Sequence, residues 1–308
     1  MKQKVYKCLE EQEMVQEGVP IFLHYALSYI LFQQSNIYLV LLQFISDLSF
    51  LLYKKNRYNK LSRGGVMSFY SQIAEYYSHI FPLSQGQLSF ILSRSPNSQE
   101  MKLLEVGCGI GELSMELGKH FGKVSGIDLD EVMIQKANLL SRKQNPNLAF
   151  YKLNMLNLDQ QFKEHHFDRI VCFGNTLVHL LETQDILRFF EQCQKVLHEN
   201  GRLMFQILNY DKILDMQIKQ LPLIDNKTLR FERSYEFGTD PTLIQFHTKL
   251  WIKESMSSYS NVISLNPIRK NTIETLLSKA RFQHYHFFGS YEQAQFQKDS
   301  ELLLCEAV

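Results

Sequence analysis

The hydrophobic pattern between residues 67 and 211 is that of alternating strands and helices. Short apolar runs bounded by turn residues predict buried strands, and apolar residues at helical spacing predict amphipathic helices. Strands and helices that alternate in this way indicate a parallel, doubly wound α/β sheet. Residues 199–201 end with Asn-Gly, which predicts the stop of the last helix in this region. The predicted strands are 101–106, 123–128, 148–153, 168–173 and 202–208, and the predicted helices are 68–79, 84–92, 112–120, 131–142 and 185–197.

The pattern changes after residue 211. Apolar and polar residues then alternate over longer runs, which is typical of antiparallel strands with one solvated face. We therefore predict a Rossmann-like, doubly wound, mostly parallel seven-stranded sheet, with an antiparallel lid inserted after the fifth strand at about 212–266. The antiparallel runs are 229–237, 243–252 and 257–265, the following helix is 270–280, and the last strands are 282–288 and 301–306.

Residues 1–66 differ in pattern from the rest, and we expect an N-terminal extension followed by one domain at 67–308. The apolar runs within 21–53 are broken by polar residues, and they are short or marginal for crossing a bilayer. A weak membrane segment is therefore the less favoured interpretation. The other hypothesis is that translation begins at Met67, because residues 63–66 can be encoded by a purine-rich bacterial ribosome-binding sequence.

Composition narrows the class of protein. A hydrophobic fraction of 45% is ordinary for a soluble globular protein. The 5 cysteines are scattered without zinc-ligand spacing, which predicts a reducing, cytoplasmic setting and no metal site. The net charge is only +1, and the basic excess lies within residues 1–66, so a nucleic-acid partner is not expected. The oligomeric state stays open.

Residues that can bind a nucleoside follow the first two predicted strands. Gly107, Gly109 and Gly111 follow the first strand, and glycine allows a tight turn and a close approach of ligand to backbone. Asp128 ends the second strand, where a carboxylate can accept both hydroxyls of a ribose. Asp130 is either a rival for this role or a helix cap. Ligands of open α/β sheets bind beyond the carboxyl ends of the strands, so these residues predict a shared site.

Two features of this loop favour S-adenosylmethionine over a dinucleotide. The third glycine comes one position too early for the fingerprint GxGxxG, and Glu112 stands where that fingerprint has glycine. Glu105 lies just before the loop, and an acid there suits a cationic ligand better than a pyrophosphate. S-adenosylmethionine has an ammonium and a sulfonium, and it has no phosphate.

The segments 106–111, 126–133 and 167–172 together resemble class I S-adenosylmethionine-dependent methyltransferases. The segments 173–180 and 207–211 are similar to bacterial small-molecule enzymes of the glycine/sarcosine N-methyltransferase-like group. In that family the glycine loop holds the methionine part, the acid after strand two holds the ribose, and a residue after strand three meets the adenine. The resemblance implies a cofactor site made of Tyr77, Glu105, Gly107, Cys108, Gly109, Gly111, Asp128, Leu129, Met133, Asn154, Met155, Leu156 and Cys172.

Polar residues after the fourth and fifth strands are candidates for handling the methyl acceptor. Transfer from a sulfonium is an in-line displacement, so the protein mainly aligns and desolvates the reactants. His179 and Tyr210 could take a proton and Asn175 could position the acceptor, or all three could serve capping and packing. We predict Asn175, His179 and Tyr210 as catalytic residues.

The predicted antiparallel segment contributes candidate substrate-binding residues. Arg230, Arg233 and Tyr235 could bind a substrate carboxylate through a charge-assisted pair, or they could lie on a solvated sheet face. We predict Asn175, Arg233 and Tyr235 as the substrate-binding set.

The function expected from these features is methyl transfer from S-adenosylmethionine to a small amine, hydroxyl or thiol acceptor. One alternative is an RNA or protein methyltransferase, which predicts a basic face near the lid. Another is a cofactor-binding module without catalysis. A membrane-tethered enzyme would require the apolar runs within 21–53 to be a real membrane segment.

Overall fold

The computed structural model describes residues 69–141 and 146–308. The predictions for residues 1–66, whether an extension, a weak membrane segment or untranslated sequence, lie outside these ranges. Within the described part of the chain, no helix is both long enough and apolar enough to cross a bilayer.

Strands and helices alternate along the described residues as the sequence pattern predicts. In chain order the strands are β1 (Lys102–Val106), β2 (Lys123–Asp128), β3 (Leu148–Lys152), β4 (Phe167–Cys172), β5 (Leu197–Leu208), β6 (Ile224–Asp225), β7 (Leu229–Phe237), β8 (Ile244–Ile252), β9 (Ser257–Leu265), β10 (Tyr285–Phe288) and β11 (Leu302–Ala307). The helices are α1 (Phe69–Ile73), α2 (Tyr77–Ile80), α3 (Gln85–Ser93), α4 (Glu112–Leu117), α5 (Glu131–Ser141), α6 (Leu158–Gln161), α7 (Thr183–Val196), α8 (Tyr210–Asp215) and α9 (Lys270–Lys279).

Seven strands form the central sheet, in the order β10-β11-β5-β4-β1-β2-β3. The pairs among β1 to β5 are all parallel, because a helical crossover separates each strand from the next. Strand β11 runs antiparallel to both of its neighbours. The predicted Rossmann-like, mostly parallel seven-stranded sheet is confirmed.

A second, antiparallel sheet is inserted after β5, in the order β6-β7-β8-β9. Its strands alternate between a buried face and an exposed face, as the sequence alternation predicts. Leu229, Phe231 and Leu250 of the buried face pack against Phe69 and Ile73 of α1. The inserted sheet is therefore attached to the N-terminal helices, and we call it the lid.

The predicted stop of the α7 helix at residues 199–201 is wrong. Helix α7 ends at Val196, and β5 begins immediately at Leu197 and runs through these residues. Leu197 is buried and pairs with Phe167, and the register shifts before Arg202 pairs with Arg169. Burial of the Leu197 and Phe167 side chains starts the strand early, and the irregularity absorbs the extra residues.

The single helix predicted at residues 68–79 is interrupted. A 3₁₀ turn at Ala74–Tyr76 separates α1 from α2. The Ala74 carbonyl accepts a hydrogen bond from the Tyr77 amide three residues on and another from Lys136 Nζ at 2.8 Å. This tertiary contact from α5 favours the tighter turn, and the sequence pattern of α1 and α2 does not reveal it.

Aromatic packing against β5 holds α7 on the sheet. The rings of Phe190 and Phe205 lie 5.6 Å apart, and neither side chain is exposed to solvent. Because large buried aromatic residues leave a cavity when truncated, we expect Phe205→Ala to lower the free energy of unfolding by about 3–5 kcal/mol. The control is Leu139→Ala, at a position that is 64% exposed, where a change within about 0.5 kcal/mol is expected. Urea denaturation measures the free energy of unfolding of both variants. An equal loss of stability in the two would contradict the role given to Phe205 in the core.

Candidate active site

The loop between β1 and α4 has a backbone that only glycine adopts easily. Gly107, Gly109 and Gly111 have φ angles of 73°, 53° and 80°. A Cβ at Gly107 would lie 2.5 Å from the Thr176 side chain, and one at Gly109 would lie 3.0 Å from the Tyr77 hydroxyl. The glycines therefore allow two other elements, the loop after β4 and helix α2, to pack close against the loop backbone.

The Asp128 carboxylate is fixed beside this loop at the end of β2. Its two oxygens accept the backbone amides of Gly109 and Asp130, each at 2.9 Å. Burial raises the pKa of Asp128, and the two amide hydrogen bonds oppose that rise. The sequence predicts Asp130 to be either a rival ribose-binding acid or a helix cap. It is a helix cap, because its Oδ1 accepts the amides of Val132 and Met133 at the start of α5.

Glu105 provides a second acid below the loop. The side chain is 6% exposed, and the Ser114 hydroxyl donates a hydrogen bond to its Oε2. Burial raises the pKa of Glu105 from 4.5 to about 7, with a smaller contribution from the charge of Asp128 and with the Ser114 hydrogen bond opposing. A cation placed between these two acids would favour the ionised form of both.

Two tyrosines of the N-terminal helices cover the loop. Tyr77 lies over Gly109, and the Tyr70 hydroxyl lies 3.0 Å from His179 Nε2. Burial raises the pKa of both phenols, so both stay protonated. Tyr70 is a site residue that the sequence reasoning missed. Tyr70 lies seven residues before Tyr77 in the sequence. This spacing of two helical turns could have predicted that both side chains lie on the same side of the N-terminal helices.

His179 is uncharged and contacts one of these two tyrosines. Burial lowers the pKa of His179 to about 4, so the imidazole is uncharged at neutral pH. Its Nε2 is already in contact with the Tyr70 hydroxyl. The structure thus places His179 at the predicted edge of the sheet, where it connects the loop after β4 to α1.

The loop after β3 approaches the same edge. The Leu153 amide donates to the Asp128 carbonyl at 3.0 Å, and Asn154 Oδ1 accepts the Leu156 amide at 2.9 Å. Asn154 therefore caps the short 3₁₀ helix Met155–Asn157 and retains its side-chain amide for other partners. Leu129 is 66% exposed next to Asp128, which leaves an apolar surface at the rim.

Three of the predicted cofactor residues have side chains in packed clusters. Cys108 packs with Phe150, Met133 packs with Ile110, and Cys172 lies in the main core. Burial raises the pKa of both thiols, so neither is a ready nucleophile. Their contact with a cofactor stays a prediction, and it would have to involve mainly the backbone.

Asn175 links the loop after β4 to the end of β5 and to α8. It adopts a φ of 65°, its Nδ2 donates to the Tyr210 hydroxyl at 2.9 Å, and its Oδ1 accepts the Leu208 amide at 3.0 Å. Tyr210 is 1% exposed and its ring lies 6.3 Å from that of Tyr235. Burial raises the pKa of Tyr210, so it is a neutral phenol in this chain of contacts and not a phenolate base.

Arg233 shares the buried face of β7 with Tyr235, whereas Arg230 does not. Arg230 points to the other face, where its Nη2 donates to Glu232 Oε1 at 2.8 Å. Strand alternation separates Arg230 from Arg233, so the suggestion that Arg230 binds substrate with them is wrong. Among the described residues, no group of three or more potential metal ligands comes together.

The comparisons with known proteins agree with this geometry. The family described as "Methyltransferase domain" matches residues 103–201. A protein of Geobacillus sp. (strain WCH70) named as a methyltransferase is 34% identical over 106 residues, which cover 34% of this chain and 42% of that protein. Residues 103–201 therefore match the methyltransferase domain family, and this match spans about a third of the chain. The match to this chain spans less than half of the length of the Geobacillus protein.

Two further proteins are matched over more of their length. The glycine/sarcosine N-methyltransferase of Aphanothece halophytica is 23% identical over 228 residues, covering 73% of this chain and 82% of that protein. A solved S-adenosylmethionine-dependent methyltransferase from Clostridium acetobutylicum ATCC 824 superposes with a TM-score of 0.65 and 18% identity, covering 77% of this chain and 98% of that one. At this identity the structural similarity establishes the fold.

The raised pKa of Glu105 predicts how the stability of this protein depends on pH. Between its ordinary value of 4.5 and about 7, the folded state holds a proton on Glu105 that the unfolded state has lost. The free energy of unfolding therefore falls as pH rises through this window. We expect Glu105→Gln to flatten this fall without abolishing it, because the raised pKa of Asp128 acts in the same direction.

Chemical denaturation at a series of pH values across this window measures the effect. The control is Glu254→Gln, at an exposed turn position of the lid, which should retain the slope of the parent protein. An unchanged slope in Glu105→Gln would show that Glu105 ionises normally in the folded protein.

Proposed function

We propose that this protein is a methyltransferase that transfers a methyl group from S-adenosylmethionine to a small-molecule amine, hydroxyl or thiol acceptor by in-line displacement. The observation that carries the proposal is the Asp128 carboxylate, which accepts the Gly109 amide beside a loop in which Gly107, Gly109 and Gly111 all have positive φ. A carboxylate at this edge of an α/β sheet is suited to the two hydroxyls of a ribose.

The donor set around the loop fits S-adenosylmethionine. Glu105 is buried without a basic partner in the described contacts, and its raised pKa leaves it ready to ionise beside an ammonium. Leu129 offers exposed apolar surface beside Asp128 for a base, and the Asn154 amide lies on the adjoining loop. When bound, S-adenosylmethionine supplies a methyl group on a sulfonium, which is already activated for transfer.

The chain's own residues would align the acceptor and exclude water. Tyr70 and Tyr77 cover the glycine loop as neutral phenols, and their ring faces can stabilise a nearby positive charge. Asn175 and Tyr210 form a rigid polar contact at the same edge, which can orient an acceptor. An amine attacks with its own lone pair, so no strong base is required, and the buried neutral His179 and Tyr210 agree with that.

A nucleic-acid acceptor gains no support from the charge on the outer face of the lid. Arg230 is paired with Glu232 there, and Lys249 lies 4.5 Å from the ring of Trp251. Glu236 on the same face adds a further negative charge. This mixture of signs differs from the basic face that an RNA methyltransferase would need.

Calorimetric titration with S-adenosylmethionine and S-adenosylhomocysteine tests the cofactor site. We expect Asp128→Ala to weaken binding by about 1.5–3 kcal/mol, or roughly tenfold or more, because a charged acceptor of two hydroxyl hydrogen bonds is lost. The control is Asp168→Asn at the opposite end of the sheet, where the carboxylate accepts the Lys102 amide at 2.8 Å. That variant should bind as the parent protein does.

Failure of the parent protein to bind either compound would defeat the proposal. A screen of small amines, alcohols and thiols with cofactor labelled in the methyl group then tests transfer. Binding without transfer to any acceptor would favour a cofactor-binding module.

A further inference from the structure

The turn after β4 has two consecutive residues in the left-handed region of backbone conformation. Gly174 has a φ of 72° and Asn175 a φ of 65°. Glycine adopts this region readily, whereas asparagine stays in it only where surrounding contacts hold it. A Cβ placed on the exposed Gly174 would meet no atom within 4 Å beyond its chain neighbours. Packing around Gly174 therefore does not hold the turn, and hydrogen bonds have that role.

Gln206 of the neighbouring strand β5 accepts hydrogen bonds from both residues of the turn. Its side-chain Oε1 accepts the Gly174 amide at 3.0 Å, and its backbone carbonyl accepts the Asn175 amide at 3.3 Å. Gln206 is only 4% exposed, so its side chain has little freedom to turn away. One buried residue thus fixes the backbone of Gly174 and Asn175 together.

Further contacts fix the orientation of the Gln206 side chain. The Tyr291 hydroxyl donates to Gln206 Oε1 at 3.3 Å, and Gln87 Nε2 of α3 donates to the Tyr291 hydroxyl at 3.2 Å. The Tyr291 ring is packed against α3, because a Cβ on Gly86 would lie 2.9 Å from it. Burial raises the pKa of Tyr291 to about 12, so its hydroxyl stays protonated and can donate. Two donors therefore meet at Oε1, and only the oxygen of the amide suits that position.

The turn determines where the Asn175 side chain lies. Asn175 Oδ1 accepts the Leu208 amide at 3.0 Å, so its Nδ2 is left to donate to the Tyr210 hydroxyl at 2.9 Å. The proposed function assigns this contact between Asn175 and Tyr210 to orienting the acceptor. Because transfer requires close alignment of the reacting atoms, a displaced turn would slow it without removing any group that touches the acceptor.

We propose that Gln206 is a positioning residue for methyl transfer, whose side-chain oxygen holds the turn at Gly174 and Asn175 and thereby the contact between Asn175 and Tyr210. The inference rests on the proposed function, because it concerns the acceptor of that reaction. The alternative is that Gln206 only completes the hydrogen bonding at the end of β5. Gln192 of α7 is a matched control, since it is 6% exposed and its Oε1 accepts the Asp159 amide of α6 at 3.0 Å.

Hydrogen exchange of the full chain, followed by mass spectrometry, tests the hold on the turn without any acceptor. We expect Gln206→Leu, which keeps the size and removes the oxygen, to speed exchange in the peptide that spans residues 173–177. Gln206→Glu keeps an accepting oxygen and should restore slow exchange, and Gln192→Leu should leave this peptide unchanged. Unchanged exchange in Gln206→Leu would overturn the inference. If that variant fails to fold, Tyr291→Phe is expected to speed exchange in the same peptide, and no increase there would count against the inference.

Methyl transfer from labelled S-adenosylmethionine to the pooled small amines, alcohols and thiols tests the role in the reaction. We expect Gln206→Leu to lower the transfer rate by about tenfold or more, with unchanged affinity for S-adenosylhomocysteine. Gln206→Glu should recover most of the rate, and Gln192→Leu should keep the rate of the parent protein. An equal loss in Gln192→Leu, or a loss matched by weaker S-adenosylhomocysteine binding, would overturn the positioning role. A parent protein that transfers no methyl group would instead contradict the proposed function, and with it this role, whatever hydrogen exchange shows about the turn.

Discussion

The hydrogen bond from the Gly109 amide to the Asp128 carboxylate joins the ends of β1 and β2, and the rest of the candidate site is arranged around it. It requires the positive φ of Gly109, which in turn leaves room for Tyr77 above the loop. The Leu153 amide binds the Asp128 carbonyl, so the loop after β3 is held at the same edge. One backbone conformation thus sets the positions of three loops.

Burial controls the protonation states across this edge of the sheet. It keeps Tyr70, Tyr77 and Tyr210 as neutral phenols and His179 as a neutral imidazole. The groups that remain available for a charged ligand are then Glu105 and Asp128 beside the glycine loop. These two acids suit the cationic cofactor of the proposed function.

Much of the fold could be predicted because apolar runs and helical spacing report burial directly. The five parallel strands and the three longer lid strands follow from that pattern. The start of β5 at Leu197 could not be predicted, since it depends on pairing with Phe167 in a distant strand. The break between α1 and α2 likewise depends on Lys136, which belongs to α5.

The sequence by itself determined the glycine loop and the acid that follows β2, because the need for positive φ and for a carboxylate at a strand end is local. It also determined which residues were candidates for the acceptor. Only the tertiary structure decided that Arg233 faces inward and Arg230 outward, and that Tyr70 contacts His179. Those relations arise from strand register and from packing between distant segments, and no local pattern encodes them.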